Sequence, residues 1–135
     1  MDIDRLKNRI KHHEGYSKDP YKDHLGYWTV GWGHNIHWIT EMPQHEQWLK
    51  QDVREAIDNA QIWLPSIGEL SDTRQEVIAE MFFQMGASRM EGFKRLRAAL
   101  QDKDFERAAY EMNDSRWANQ TPVRAQELIT LMREG

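Results

Sequence analysis

At 135 residues, with 39% apolar and 30% charged residues, the chain reads as one folded domain rather than a disordered segment. A formal charge of −4 with mixed signs argues against a nucleic-acid binder or a polybasic membrane module, and no apolar run is long enough for membrane insertion. The absence of cysteine excludes disulfides and thiolate metal sites, and the start M-D-I-D-R-L-K-N carries no apolar signal core, so folding in a reducing cytoplasm is expected.

The first expected element is a short amphipathic helix over residues 2–13, with Asp2 as cap, Ile3, Leu6 and Ile10 at helical spacing, and Gly15 as terminator. From Tyr16 to Trp32 the pattern becomes strand and turn. Asp19-Pro20 and His24-Leu25-Gly26 are turn signals, and Tyr27-Trp28-Thr29-Val30 has strand propensity. Alternation puts Thr29 on one face with Gly31 and Gly33, open to a substrate, and turns Trp28, Val30 and Trp32 toward a small core. After a loop at 35–41, residues 43–63 carry Trp48, Leu49, Val53, Ala56, Ile57, Ala60 and Leu64 on one stripe, with Pro43 in the first turn. A helix of about twenty residues runs roughly 30 Å, enough to bridge a small lobe and a larger one.

A second long helix is expected from Ser71 to Met85, stopped by Gly86, with Val77, Ile78, Met81 and Phe82 facing the core. Shorter helices follow at 90–101 and 103–112, and a last one opens with Thr121-Pro122 and carries Leu128, Ile129 and Met132. The sum is an α+β fold in a single domain, 1–135. Residues 1–42 form an N-terminal helix and small sheet lobe, 43–64 a connecting helix, and 65–135 a helical lobe.

The segment 13–34, H-E-G-Y-S-K-D-P-Y-K-D-H-L-G-Y-W-T-V-G-W-G-H, is the most informative part of the chain. It sets Glu14 at a helix end, Asp23 nine residues later in a turn, and Thr29 six residues beyond. A carboxylate at the C-terminal end of a helix meets the wrong end of the macrodipole, which suits a group that must carry a proton. Taken singly, Glu14 and Asp23 are ordinary surface carboxylates, Thr29 is a good strand residue, and Arg124 is a solvated helix residue.

Together with four further blocks, this segment closely resembles the phage-type lysozymes, the muramidases of glycoside hydrolase family 24. The blocks are residues 14–34, Q-D-V (51–53), F-Q-M-G (83–86), G-F (92–93) and S-R-W-A-N-Q-T-P-V-R-A (115–125), in the family's order. The resemblance implies a lysozyme-like two-lobe fold and a cleft for bacterial peptidoglycan glycan strands. It also implies Glu14 as the acid, Asp23 as the second carboxylate, and Thr29 as the hydroxyl beside the attacking water. Arg124 is implied to pair with the catalytic glutamate, and His34 with Asp52 to form a structural ion pair. Gly33, Asn35, Phe83 and Gln84 are implied as substrate-binding positions.

Hydrolysis of a glycosidic bond needs a proton for the departing oxygen and help for the incoming water, so two carboxyl groups in different protonation states meet both needs. Burial and the helix end favour a protonated Glu14, whereas Arg124 favours the ionised form. The expected reaction is inverting cleavage of the β-1,4 bond between N-acetylmuramic acid and N-acetylglucosamine, for host lysis, by a monomer without cofactor. The rival is a non-catalytic peptidoglycan-binding or virion structural protein that keeps the fold. His12, His13, Glu14, His34, His37 and His45 crowd the first third of the chain, but their spacing guarantees no shared face and no metal is expected. Three departures from the family stand out. Sixteen residues separate His34 from Gln51, shortening the small lobe, and Leu96 and Glu111 stand where relatives place small polar groups. The surface is also not basic.

Overall fold

Asp2 opens the first helix, α1 (Ile3–Glu14), by accepting from the Arg5 amide at 3.1 Å, and Gly15 closes it with its own amide on the Lys11 carbonyl at 3.0 Å. The computed structural model describes residues 1–23, 28–35 and 45–135. The expected turn at 24–26, Tyr27, His37, Pro43 and most of the expected loop at 35–41 lie outside the described residues.

Three strands follow α1: β1 (Ser17–Lys22), β2 (Trp28–Gly31) and β3 (His34–Asn35), antiparallel in the order β1-β2-β3. Tyr21 pairs with Thr29 across β1 and β2, and Thr29 pairs with Asn35 across β2 and β3. Asp19-Pro20 does not turn the chain; it lies inside β1, where the register is irregular between Ser17 and Tyr21. An edge strand tolerates a proline because its missing N–H costs no ladder bond on the open side. Residue 35, expected as the start of a loop, is strand, paired with Thr29.

The long helix α2 (His45–Trp63) works for both parts of the fold. Its Leu49 and Val53 are buried with Leu6 and Ile10 of α1 in a small cluster, while Ala56, Ala60 and Trp63 enter the large helical core. Trp48 leaves the expected stripe and stacks on His34 with ring centroids 4.3 Å apart. A 3-10 turn (Pro65–Glu69) leads to α3 (Asp72–Met90), capped by Ser71. Gly86 does not stop α3: it adopts φ +80° and ψ 163°, and the chain kinks and resumes as helix to Met90. Only glycine takes that left-handed φ without strain, so the residue that reads as a terminator is a kink.

Four shorter helices complete the chain: α4 (Lys94–Gln101), α5 (Phe105–Asn113), α6 (Arg116–Gln120) and α7 (Pro122–Glu134). The sequence reading missed α6, whose cap is Ser115 accepting from the Ala118 amide. Thr121 precedes α7 but does not cap it with its side chain; the hydroxyl donates instead to the Trp117 carbonyl at 3.1 Å. Leu96 is fully packed in the helical core rather than facing a substrate, and Glu111 is half-buried. The result is a mostly helical α+β fold, a small antiparallel sheet lobe joined by α2 to a larger helical lobe. Among the described residues, no helix is long and apolar enough to cross a membrane.

Candidate active site

Glu14 is the last residue of α1, and the turn between β2 and β3 lies against its carboxyl group. Gly33, at φ +71°, makes that approach possible: a Cβ there would stand 2.7 Å from Glu14 Oε2. The sequence places a glycine where both the backbone angle and the close contact require one. From the far end of the chain, Arg124 of α7 donates from Nη1 to Glu14 Oε1 at 2.8 Å. Arg124 is 8% exposed and the Glu14 side chain 21%, so the pair is shielded but reachable from solvent.

Arg124 has a second carboxylate. Its Nε donates at 2.9 Å to Glu80 Oε2, and Glu80 is fully buried. Glu80 also accepts from Arg9 Nε at 2.5 Å and from His13 Nδ1, while His13 Nε2 meets Glu127 at 2.7 Å. Burial by itself would push the Glu80 carboxyl up, yet the charge of Arg124, the hydrogen bond and charge of Arg9, and His13 hold it below the ordinary carboxylate range. One turn earlier, Arg5 grips the equally buried Glu76 through Nε at 2.7 Å and Nη2 at 2.6 Å. Arg5, Arg9 and His13 recur every four residues on α1, as Glu76 and Glu80 do on α3, so the two helices meet along a ladder of charges. Sequence reasoning missed this ladder and saw His13 only as one histidine of a crowd. The matched four-residue spacing was the signal available.

The second carboxylate, Asp23, follows directly on β1, the strand that carries Tyr21. Burial pushes the Tyr21 phenol up, and the negative charges of Glu14 and Asp23 push it further in the same direction. Both carboxylates therefore lie within electrostatic reach of one hydroxyl group. Asp23, half-buried just past β1, and Thr29, in register with Tyr21 on β2, belong to the same corner. Thr29, on the middle strand β2, is 3% exposed, not open as its strand pattern suggested.

The structure also brings His34 and Asp52 together, Nδ1 to Oδ2 at 2.5 Å, linking β3 to α2. Phe83 packs against both apolar clusters, and Gln84 accepts from Trp117 Nε1 at 2.8 Å while its amide reaches Thr121 at 3.4 Å. Asn35 lies in β3 opposite Thr29. Among the described residues no three histidines or carboxylates are grouped to hold a metal; His13 and His34 face carboxylates, and His45 bonds the Tyr16 hydroxyl at 2.6 Å.

A sheet lobe and a helical lobe on one long helix, with a glutamate at the end of α1 held by an arginine from the far lobe, define the class of a lysozyme-type glycosidase. Comparison with known proteins narrows the class. The sequence matches the phage lysozyme family over residues 11–133. It is 26% identical over 163 aligned positions to the probable T4-type lysozyme 2 of Dictyostelium discoideum, covering 98% of this chain and 96% of that protein. The probable T4-type lysozyme 1 of the same organism is 28% identical over the same shares. The peptidoglycan hydrolase gp36 of Pseudomonas phage phiKMV is 30% identical over 139 positions, which cover 98% of this chain but 15% of that protein. The chain belongs to the phage lysozyme family.

Proposed function

We propose that the chain is a muramidase that cuts the β-1,4 bond between N-acetylmuramic acid and N-acetylglucosamine with inversion, serving lysis of a bacterial host. The observation that carries this reading is the hold of Arg124 on Glu14 at the end of α1, with Asp23 following the strand whose Tyr21 pairs with Thr29. Glu14 protonates the departing glycosidic oxygen. Asp23 takes a proton from a water on the opposite face of the sugar, and Thr29, presented from the middle strand, orients that water. The bond from the anomeric carbon to the leaving oxygen breaks as the bond to water oxygen forms, so the configuration inverts. Gly33, Asn35, Phe83 and Gln84 are the glycan contacts of the same proposal, and the enzyme is made in the host cytoplasm before it reaches the wall. The names of the relatives, T4-type lysozyme and peptidoglycan hydrolase, support the substrate class.

The test is digestion of purified peptidoglycan, reading reducing ends and the anomer first formed. The expected outcome is new reducing ends released initially as the α-anomer. An initial β-anomer would replace inversion with a covalent route, and an anhydro end would mark a lytic transglycosylase. Binding without any cleavage would support the non-catalytic reading.

A further inference from the structure

Arg124 poses a chemical problem for a proton donor. A guanidinium 2.8 Å from Glu14 favours the ionised carboxylate, whereas a general acid must reach the reaction protonated. The structure contains an answer on α3. We propose that Glu80 is a positioning residue for the acid: it shares the Arg124 guanidinium, so that Arg124 orients the Glu14 carboxyl without stripping its proton. This inference rests on Glu14 being the proton donor.

Three observations carry it. Glu80 is fully buried, so its charge acts on its neighbours with little solvent screening. It binds Arg124 through Nε while Glu14 binds Nη1, so one cation is divided between two carboxylates at nearly equal distance, 2.9 and 2.8 Å. The remaining nitrogen, Nη2 of Arg124, is buried and has no hydrogen-bond partner among the described residues, so the guanidinium's bonding is concentrated on those two groups. Arg9, which grips the other oxygen of Glu80, sets how much of that carboxylate is left for Arg124.

The charged groups around Glu14 can be named element by element among the described residues. Tyr21 faces it from β1, with Asp23 acting on Tyr21 from just past that strand, Arg124 reaches it from α7, and the turn at Gly33 contributes backbone alone. Glu80 in turn faces Arg9 and His13 of α1 and Arg124 of α7, with Glu127 beyond His13. Removing the Glu80 charge leaves a surplus of cations beside Glu14. Removing the Arg9 charge frees Glu80 to hold Arg124 harder. The two changes therefore push the Glu14 proton in opposite directions, which no general loss of stability does.

The experiment compares wild type with Glu80→Gln and Arg9→Gln, each keeping a hydrogen-bonding amide in place of the charge. Two readouts are taken: the pH profile of kcat on peptidoglycan, and the titration of the Glu14 side-chain carboxyl by carbon NMR. Glu80→Gln is expected to move the alkaline limb of kcat and the Glu14 titration down by about 0.5–1 pH unit, and Arg9→Gln to move both up, with KM little changed. If Glu80→Gln does not fold, the upward shift in Arg9→Gln alone decides. Coincident curves, or shifts of the same sign, overturn the proposal. The NMR titration needs no turnover, so a protein that fails to cleave peptidoglycan would sink the muramidase reading while the sharing of Arg124 is still measured.

Discussion

Two rungs of one ladder behave differently. Arg5–Glu76 and Arg9–Glu80 join α1 to α3 with the same residue types one turn apart, and both glutamates are completely buried. Glu76 is satisfied by Arg5 through two nitrogens and by the Asp2 amide, and its hydrogen bond and charge raise the already high proton affinity of Arg5. Glu80 gathers Arg9, His13 and Arg124, and through Arg124 it reaches Glu14. The rungs differ in where α7 arrives. A buried ion pair contributes little net stability when it closes on itself, but the same pair beside a reactive group can set that group's charge environment.

The largest effect tests the functional end of the ladder. Glu14→Gln should lower turnover of peptidoglycan by about 10²–10⁴-fold, with a melting temperature close to wild type. Wild-type turnover in that variant would remove Glu14 from the chemistry and leave both rungs purely structural.

The comparison itself is tested by urea unfolding at pH 7 of Glu80→Gln against Glu76→Gln. Glu80 is expected to cost about 3 kcal/mol or more, because its loss leaves the shielded Arg9 without its carboxylate and Arg124 with Glu14 alone. Glu76 should cost less, about 1–2 kcal/mol, because the side chain of Arg5 is 52% exposed and water can resolvate it. Equal costs would show that the second rung is no more than a copy of the first.

Acid unfolding sharpens the same contrast. Glu80 has its folded value held below the ordinary carboxylate range, so its contribution is fully present above the unfolded value of 4.5 and is lost as pH falls through the folded value. Wild type should therefore lose stability on acidification below about pH 4.5 more steeply than Glu80→Gln does. Parallel acid limbs would contradict the charge network.

Gly33→Ala reaches Glu14 from the side away from the ladder. The new methyl group falls on the Glu14 carboxyl, the mobile end of a side chain, so the carboxyl moves off Arg124 rather than the fold giving way. Turnover is expected to fall by about 10²-fold, with a stability loss of about 1 kcal/mol from the left-handed backbone. A stability loss with unchanged turnover would show that the carboxyl position does not matter. The smallest effect belongs to the half-exposed pair between β3 and α2: Asp52→Asn should cost about 0.5–1 kcal/mol in thermal unfolding and leave the pH profile in place. A shifted profile there would mean that distant charges reach Glu14 as easily as Glu80 does.

Much of this architecture is legible in local pattern. Leu6 and Ile10 of α1, Leu49 and Val53 of α2, and Val77, Ile78, Met81 and Phe82 of α3 are buried as their periodicity requires, because helical spacing alone decides which side chains share a face. The end of α1 at Gly15, with Glu14 on its last turn, is equally local. Asp19-Pro20 and Gly86 misled for one reason: a residue's intrinsic preference states what it permits, and the surrounding sheet or helix decides which permitted conformation is used.

What the chain's order of residues determined, then, was the set of elements, the faces they bury, and the family signature from residue 14 to residue 34. Tertiary structure alone decided which charges meet: Arg124 lies 110 residues from Glu14 and 44 from Glu80, and only the packing of α7 against α1 and α3 gives one guanidinium to both. Ion pairing depends on distance and desolvation rather than on sequence spacing, so a buried glutamate such as Glu80 looks in sequence like any solvated one until three helices close around it.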